Sequence, residues 1–136
     1  AYFRGNVLIG AGSVAGNSCE FKNSLLFDSV EAPHYNYVGD SILGYHAHMG
    51  AGSITSNIKS DRKNIVIRTD EGPLETGLRK IGAILGDYVE IGCGTVLNPG
   101  SIVGKNTMIY PLTSVRGTVP ANSIVKSAEN IVIKQN

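Results

Sequence analysis

Three histidines, His34, His46 and His48, are the only ones in the chain, and all lie in the stretch from Pro33 to Asn57. Imidazole titrates near neutral pH, so a histidine can serve as a general base, and it is also a common metal ligand. A zinc site needs three converging protein ligands. The alternative without a chemical role is that these side chains are surface or subunit-contact residues, and this is the default interpretation of His46.

The elements that must position these residues follow a six-residue repeat. From Leu85 the sequence reads LGDYVE, IGCGTV, LNPGSI, VGKNTM, IYPLTS and VRGTVP, with an aliphatic residue first and a small or β-branched residue fifth. The N-terminal segments FRGNVL, IGAGSV, AGNSCE and FKNSLL obey the same rule, as do YVGDSI, LGYHAH and MGAGSI. This period is neither helical nor that of one long strand, and it predicts short strands separated by turns. We therefore expect an all-β, parallel β-helix built from hexapeptide repeats.

Two interruptions divide the repeat. The phase slips by four residues between Phe27 and Tyr37, around EAPH, and residues 57–83 abandon the hexads. Within the second interruption NIVIR predicts a strand and DEGP a turn, so we expect a loop or hairpin that projects from the prism. The predicted single domain, residues 1–136, thus has N-terminal coils (1–56), an inserted loop (57–83), C-terminal coils (84–126) and a tail strand (127–136).

Stacked coils bring distant residues together. If three hexads form one coil, residues 18 apart lie directly above one another, which places Arg4 and Lys22 at one corner on adjacent coils. Two cations this close repel each other unless an anion such as a phosphate joins them. The alternative is a pair of solvated surface charges. Cys19 occupies an inward fifth position, and we expect it in the core.

Composition limits the classes of function. The net charge of +1 gives no electrostatic case for binding nucleic acid. No apolar run is long enough to span a membrane, and no segment resembles a signal peptide. The two cysteines, Cys19 and Cys93, form no CxxC motif or disulfide framework, which favours the reducing cytoplasm.

From Arg4 to Lys63 the chain resembles a known family. The segments FRGN, EFK, HYNYVGD and GAGSITSN, followed by Lys63, are similar to the C-terminal acetyltransferase domain of the bifunctional N-acetylglucosamine-1-phosphate uridyltransferase/glucosamine-1-phosphate acetyltransferase. The insertion ending GLRKIGAILGD resembles archaeal-type members of that sugar-phosphate nucleotidyltransferase group. This resemblance implies a left-handed β-helix and an acetyl-CoA-dependent N-acetyltransferase of an amino-sugar 1-phosphate such as glucosamine 1-phosphate. It also implies a homotrimer with sites between neighbouring prisms, and acetyl transfer without a metal.

The resemblance also implies a role for each matching position. For catalysis, His34 matches the general base, Asn57 the residue that positions the amine, and Glu20 a carboxylate near the histidine. For the substrate, the matching positions are Arg4, Lys22 and Lys63 around the phosphate, Tyr37 as a phosphate or sugar contact, and His48 where the family has a sugar-contacting asparagine. For acetyl-CoA, they are Ala51 through its backbone, Cys93 in place of a serine near the thioester, and Pro111 near the CoA channel.

Departures from the family pattern keep two alternatives open. His48 replaces an amide, Pro111 replaces a small residue, and the family's basic C-terminal arm does not follow the hexads. These departures favour a non-catalytic module that trimerises or binds sugar phosphate, derived from a sugar nucleotidyltransferase related to UDP-N-acetylglucosamine pyrophosphorylase. A more remote alternative is a metal site like that of the γ-class carbonic anhydrases, which share the fold and bind zinc with histidines of adjacent subunits.

Overall fold

The computed structural model describes residues 1–127 and 129–135, so residues 128 and 136 of the predicted tail strand lie outside the described residues. The chain winds into a three-sided prism in which each coil adds one short strand to each of three parallel sheets. It is a left-handed parallel β-helix, which confirms the predicted all-β class. No helix in the described part of the chain is long and apolar enough to cross a membrane.

The three sheets are called face 1, face 2 and face 3. Face 1 contains β1 (Tyr2–Phe3), β4 (Glu20–Lys22), β7 (Tyr37–Gly39), β10 (Ile54–Thr55), β15 (Val96–Leu97) and β18 (Ser114–Val115). Face 2 contains β2 (Val7–Ile9), β5 (Ser24–Leu26), β8 (Ile42–Leu43), β13 (Ala83–Leu85), β16 (Ser101–Val103) and β19 (Thr118–Val119). Face 3 contains β3 (Val14–Asn17), β6 (Glu31–His34), β9 (His48–Met49), β14 (Glu90–Ile91), β17 (Met108–Ile109), β20 (Ser123–Ser127) and the antiparallel β21 (Asn130–Ile133).

Inward side chains of the parallel strands build most of the core. Stacking in register forms three continuous columns, and nearly every member below the first coil is fully buried. The columns are Phe21, Val38, Thr55, Leu97 and Val115 on face 1; Leu26, Leu43, Leu85, Val103 and Val119 on face 2; and Ala32, Met49, Ile91, Ile109 and Val125 on face 3. Each large aliphatic member contributes about 1.5–3 kcal/mol by its burial. Cys19 is 3% exposed and belongs to this core, as predicted.

The length of a coil differs from the prediction. Phe3 stacks on Phe21 and Leu97 on Val115 at the expected spacing of 18, but Phe21 stacks on Val38 one residue sooner. The shortening occurs at the corners after Lys22 and Gly39, where Asn23 and Asp40 adopt positive φ angles of 49° and 50°.

The predicted four-residue slip around EAPH is therefore wrong. These residues form β6, which pairs regularly with β3 and β9. Tyr37, which the hexad alignment placed first in its repeat, points outward, and Val38 is the buried residue. The irregularity is one residue at each of two corners, and it sets the register of the polar residues described below.

The insertion forms the predicted hairpin. Strands β11 (Val66–Thr69) and β12 (Gly72–Glu75) pair in antiparallel fashion, and an isolated bridge joins Ile58 to Lys80 at its base. The hairpin folds back against the lower coils, where Ile65 is fully buried and Ile67 is 8% exposed. The Thr118 hydroxyl donates a hydrogen bond to the carbonyl of Arg68, which fastens β11 to the prism.

Candidate functional site

A polar cluster surrounds Asp40 at the corner between face 1 and face 2. The Asp40 side chain is only 8% exposed. Its carboxylate accepts hydrogen bonds from Lys22 Nζ at 3.1 and 3.3 Å, from Asn23 Nδ2 at 2.9 Å and from Asn57 Nδ2 at 2.6 Å. Aspartate tolerates the left-handed backbone conformation that this tight corner imposes. The corner thus holds a nearly buried anion with three donors on adjacent coils.

The charge of Asp40 is preserved despite its burial. Burial alone raises the pKa of a carboxyl group, but hydrogen bonds from Asn23, Asn57 and Lys22, together with the charge of Lys22, outweigh it. The pKa of Asp40 is therefore lower than its ordinary value. Asp40 remains an acceptor at neutral pH, which fixes the orientation of every donor around it.

The Asn57 amide has a defined orientation as a consequence. Its Nδ2 donates to Asp40 and also to the Tyr37 hydroxyl, at 3.0 Å. Because a carboxylate can only accept, the nitrogen must face Asp40, and the amide oxygen faces away. Gly39 makes room for this arrangement, since a Cβ atom there would lie 2.4 Å from the Tyr37 hydroxyl oxygen. Within the described residues no donor reaches the side-chain oxygen, Asn57 Oδ1, which leaves an acceptor for an incoming N–H group.

Arg4 and Lys22 lie on adjacent coils at this corner, as the sequence predicted. Each of the two cations has its own carboxylate partner, which the sequence argument for a shared anion did not include. Arg4 Nη1 lies 3.1 Å from Glu20 Oε2, and Lys22 is paired with Asp40. The hydrogen bond that Arg4 donates to Glu20, together with the negative charge of that carboxylate, raises the pKa of Arg4. The Glu20 carboxylate was expected near His34, but its hydrogen bond in this chain is with Arg4.

The opposite edge of face 1 carries a second group of predicted residues. His34, Ala51, Cys93 and Pro111 occupy equivalent positions on four consecutive coils at the corner between face 3 and face 1. Backbone bonds define this row: Gly52 N donates to His34 O at 3.0 Å, Gly94 N to Ala51 O at 2.9 Å and Leu112 N to Cys93 O at 2.9 Å. Neighbouring coils stack about 4.8 Å apart. The candidate base and the three candidate cofactor positions therefore share one row, called here the His34 row.

The His34 row offers backbone donors. The His34 N–H is satisfied by Asn36 Oδ1 at 3.1 Å, whereas the N–H groups of Ala51 and Cys93 have no acceptor among residues 1–127 and 129–135. Ala51 is half-buried and Cys93 is exposed. The two free amides lie on adjacent coils, the first and second after His34, and together they can stabilise a negatively charged oxygen that forms between them.

A groove of about 540 Å³ runs along face 3 beside this row, and it is called here the face-3 groove. Its lining includes Cys93 and Pro111, and Gly92 forms part of its floor. A Cβ atom at Gly92 would lie 2.4 Å from the Pro111 backbone nitrogen, so only glycine allows this stacking. His48 borders the groove, and its Nδ1 lies 2.8 Å from Glu90 Oε2. An open, mainly apolar groove of this size is typical of small-molecule sites.

Two residues singled out in the sequence analysis, His46 and Lys63, belong neither to these groups nor to the lining of the face-3 groove. His46 stacks on Tyr88, with ring centroids 5.3 Å apart, at the corner between face 2 and face 3, which agrees with its interpretation as a surface residue. Lys63 is exposed in the insertion, where its backbone N–H donates to Asp61 at 2.9 Å. In the described part of the chain no three His, Cys, Asp or Glu side chains converge on a point that could hold a metal ion.

Sequence reasoning missed Asp40 and Asn23, although Asp40 stood within the quoted segment HYNYVGD. Asn23, Asp40 and Asn57 recur at a spacing of 17, and this spacing is the length of the coils in which they stack. The 17-residue spacing was visible in the sequence. The assumed coil of 18 residues, however, did not stack these three side chains above one another.

Comparisons with known proteins agree with this architecture. No family model matches the chain. A protein of Methanococcus maripaludis named bifunctional protein GlmU is 34% identical over 133 residues, which is 98% of this chain and 32% of the relative. A Sulfurisphaera tokodaii protein named bifunctional sugar-1-phosphate nucleotidylyltransferase/acetyltransferase is 31% identical over 111 residues, 82% of this chain and 28% of the relative. The chain thus spans about a third of the length of these curated relatives.

A solved structure supports the same fold. PerB from Caulobacter crescentus, in complex with CoA and GDP-perosamine, superposes with a TM-score of 0.71 over 90% of this chain and 49% of that chain, at 18% sequence identity. At this identity the likeness establishes the fold alone.

Proposed function

Because the chain belongs to the left-handed β-helix acetyltransferase domains of the GlmU proteins, we propose that it transfers the acetyl group of acetyl-CoA to the amine of an amino-sugar 1-phosphate. Glucosamine 1-phosphate is the first candidate substrate. The observation that carries the proposal is the His34 row, in which a histidine and two unpaired amides share one corner and the lower members, Cys93 and Pro111, line the face-3 groove. The acetyltransferase function in the name of the Sulfurisphaera relative, and the CoA and GDP-perosamine bound in the Caulobacter complex, also favour acetyl transfer to a sugar.

The chemistry requires a base because an alkylamine is mostly protonated at neutral pH and cannot attack a thioester in that form. His34 accepts a proton from the amine as the nitrogen bonds to the thioester carbonyl carbon. The carbonyl oxygen becomes negative, and the N–H groups of Ala51 and Cys93 donate to it. The carbon–sulfur bond then breaks, and CoA leaves as the thiol after taking up a proton. No step uses a metal, so a chelator should leave the rate unchanged.

The polar corner supplies the other end of the substrate. Where a neighbouring prism brings the two corners together, the free Oδ1 of Asn57 accepts a hydrogen bond from the amine and directs its lone pair towards the thioester. Arg4 and Lys22 bind the phosphate, which replaces Glu20 as the partner of the partly exposed Arg4. Tyr37 lies between the two corners, and Lys63 and His48 complete the proposed contacts to the sugar phosphate.

A homotrimer is part of the proposal. The His34 row and the Asp40 cluster lie at opposite edges of face 1, and a neighbouring prism packed against this face would close the space between them. Sedimentation velocity tests this directly, since the assembly should have three times the chain mass of 14.4 kDa. A chain that stays monomeric at assay concentrations would contradict a site shared between subunits. Acetyl-CoA and two free cysteines are also consistent with a cytoplasmic location.

A binding module without turnover is the second candidate function. It is favoured by Pro111, which has no N–H to donate at its position in the His34 row, and by the carboxylates that already neutralise Arg4 and Lys22. Such a module would bind the amino-sugar phosphate without consuming acetyl-CoA.

A thiol-release assay separates the two functions. The chain is incubated with acetyl-CoA and either glucosamine 1-phosphate, galactosamine 1-phosphate or unphosphorylated glucosamine. The proposal predicts sugar-dependent thiol release with at least one sugar phosphate and much weaker release without the phosphate. Release from neither sugar phosphate, by protein that is folded and assembled, would refute the acetyltransferase and leave the binding module.

A further inference from the structure

A second cleft lies between the inserted hairpin and the prism. It has a volume of about 520 Å³ and opens between β11 and β12 on one side and the lowest corner of face 1 and face 2 on the other. Its charged lining consists of three cations, Lys59, Arg68 and Arg116, and no carboxylate lines it. The acidic residues of the hairpin tip, Asp70 and Glu71, lie outside the lining.

The arginines of this cleft differ from the two cations of the polar corner in having no carboxylate partner in the described part of the chain. Arg4 and Lys22 each pair with a carboxylate, whereas Arg68 and Arg116 form no ion pair within residues 1–127 and 129–135. Lys59 has a long contact of 3.6 Å to the exposed Asp61. Like charges gathered in one cleft repel each other, and an anion between them relieves this repulsion.

The rest of the lining fits an organic phosphate. Pro73, Pro99 and Val66 provide apolar walls, and the Gly117 backbone N–H, also without an acceptor in the described residues, is a further donor. Arginine pairs with phosphate through two parallel hydrogen bonds, and flat apolar surfaces pack against rings. The volume lies within the range of small-molecule sites.

This cleft is separate from the phosphate-binding corner proposed for Arg4 and Lys22. Arg116 stands in the same outward column as Lys22, four coils further along face 1. At about 4.8 Å per coil the two positions are about 19 Å apart, too far for one phosphate to reach both. We propose that the cleft of Lys59, Arg68 and Arg116 binds a second ligand, a diphosphate group, either free or carried by a nucleotide.

Titration calorimetry with three probes tests the proposal. UDP, inorganic pyrophosphate and uridine are titrated in turn into the full chain, without acetyl-CoA or amino sugar, so the result does not depend on the proposed acetyl transfer. We expect UDP and pyrophosphate to bind and uridine alone to bind far more weakly. Tighter binding of UDP would identify a nucleotide as the occupant, and equal binding would identify the free diphosphate.

Matched variants locate the site. Arg68→Gln and Arg116→Gln remove one charge each from the hairpin and from the prism, and each should weaken pyrophosphate binding about tenfold or more. Lys105→Gln removes one exposed charge at a different corner and should change the affinity about twofold at most. Thermal unfolding verifies that all three variants are folded. No measurable pyrophosphate binding, or equal affinity in wild type and both arginine variants, would overturn the proposal.

Discussion

Asp40→Asn tests the account of the polar corner. The substitution keeps the side-chain shape and a residue that tolerates positive φ, but it removes the charge that three donors share. The new amide has only one acceptor oxygen, so its NH2 group must face at least one of the three donors, Lys22, Asn23 or Asn57, and that donor loses its hydrogen bond. A charge-assisted hydrogen bond contributes about 1.5–3 kcal/mol. Lys22 is 22% exposed and regains some water, so we expect a loss of about 2–4 kcal/mol in the free energy of unfolding.

The effect should depend on pH with a definite sign. The pKa of Asp40 is lower in the folded chain than its ordinary value of about 3.9. The stability that its charge contributes is therefore complete above that ordinary value and is lost as the pH falls through the folded pKa. The difference in unfolding free energy between wild type and Asp40→Asn should therefore have its largest value at pH 7 and should shrink as the pH falls below about 4.

Urea unfolding at a fixed protein concentration measures both effects, because the concentration of an oligomer affects its apparent stability. Glu20→Gln is the matched control: it removes the partner of Arg4 on the neighbouring coil, but those side chains are 50% and 34% exposed. An exposed pair contributes about 0–1 kcal/mol, so the control should unfold almost as wild type does. A loss below about 0.5 kcal/mol for Asp40→Asn, or an equal loss for Glu20→Gln, would refute the reasoning.

Two further predictions concern the face-3 groove. Iodoacetamide should alkylate exposed Cys93 and spare buried Cys19, and acetyl-CoA at ten times its Kd should slow the reaction of Cys93 about tenfold, as peptide mass spectrometry can measure. Unchanged alkylation at saturating acetyl-CoA would remove Cys93 from the cofactor site. Gly92→Ala places a methyl group against the backbone of Pro111. The free energy of unfolding, measured with urea, should fall by about 1–3 kcal/mol. A variant as stable as wild type would show that these two coils can move apart to accept the methyl group.

The fold could be predicted from the sequence because each coil repeats the same requirement. One aliphatic side chain must point inward per face, and Leu97, Val103 and Ile109 satisfy this in phase over the C-terminal coils. The hairpin could also be predicted from this one sequence, because residues 57–83 lack the six-residue repeat and contain a strand-like segment, NIVIR, followed by a turn. The hand of the helix came from the resemblance, because a period carries no handedness.

The details of the site could not be predicted to the same depth. A corner that is one residue shorter leaves the hydrophobic pattern almost unchanged, yet it moves every following polar residue relative to the coil above. Asp40 therefore came into line with Lys22 and Asn57 only when the register was known. The cleft beneath the hairpin depends on where Arg68 and Arg116 meet in space, and they are too far apart in sequence for any local pattern to relate them.

The central claim is that His34 acts as the base of an acetyl transfer, and the most direct measurement compares His34→Ala with His46→Ala. The two variants lose the same side chain from different corners, and His46 lies outside both groups of site residues. With acetyl-CoA and the preferred sugar phosphate, we predict that kcat/KM falls about 10²–10⁴-fold in His34→Ala and changes about twofold at most in His46→Ala. Acetyl transfer by His34→Ala at the wild-type rate would contradict the account.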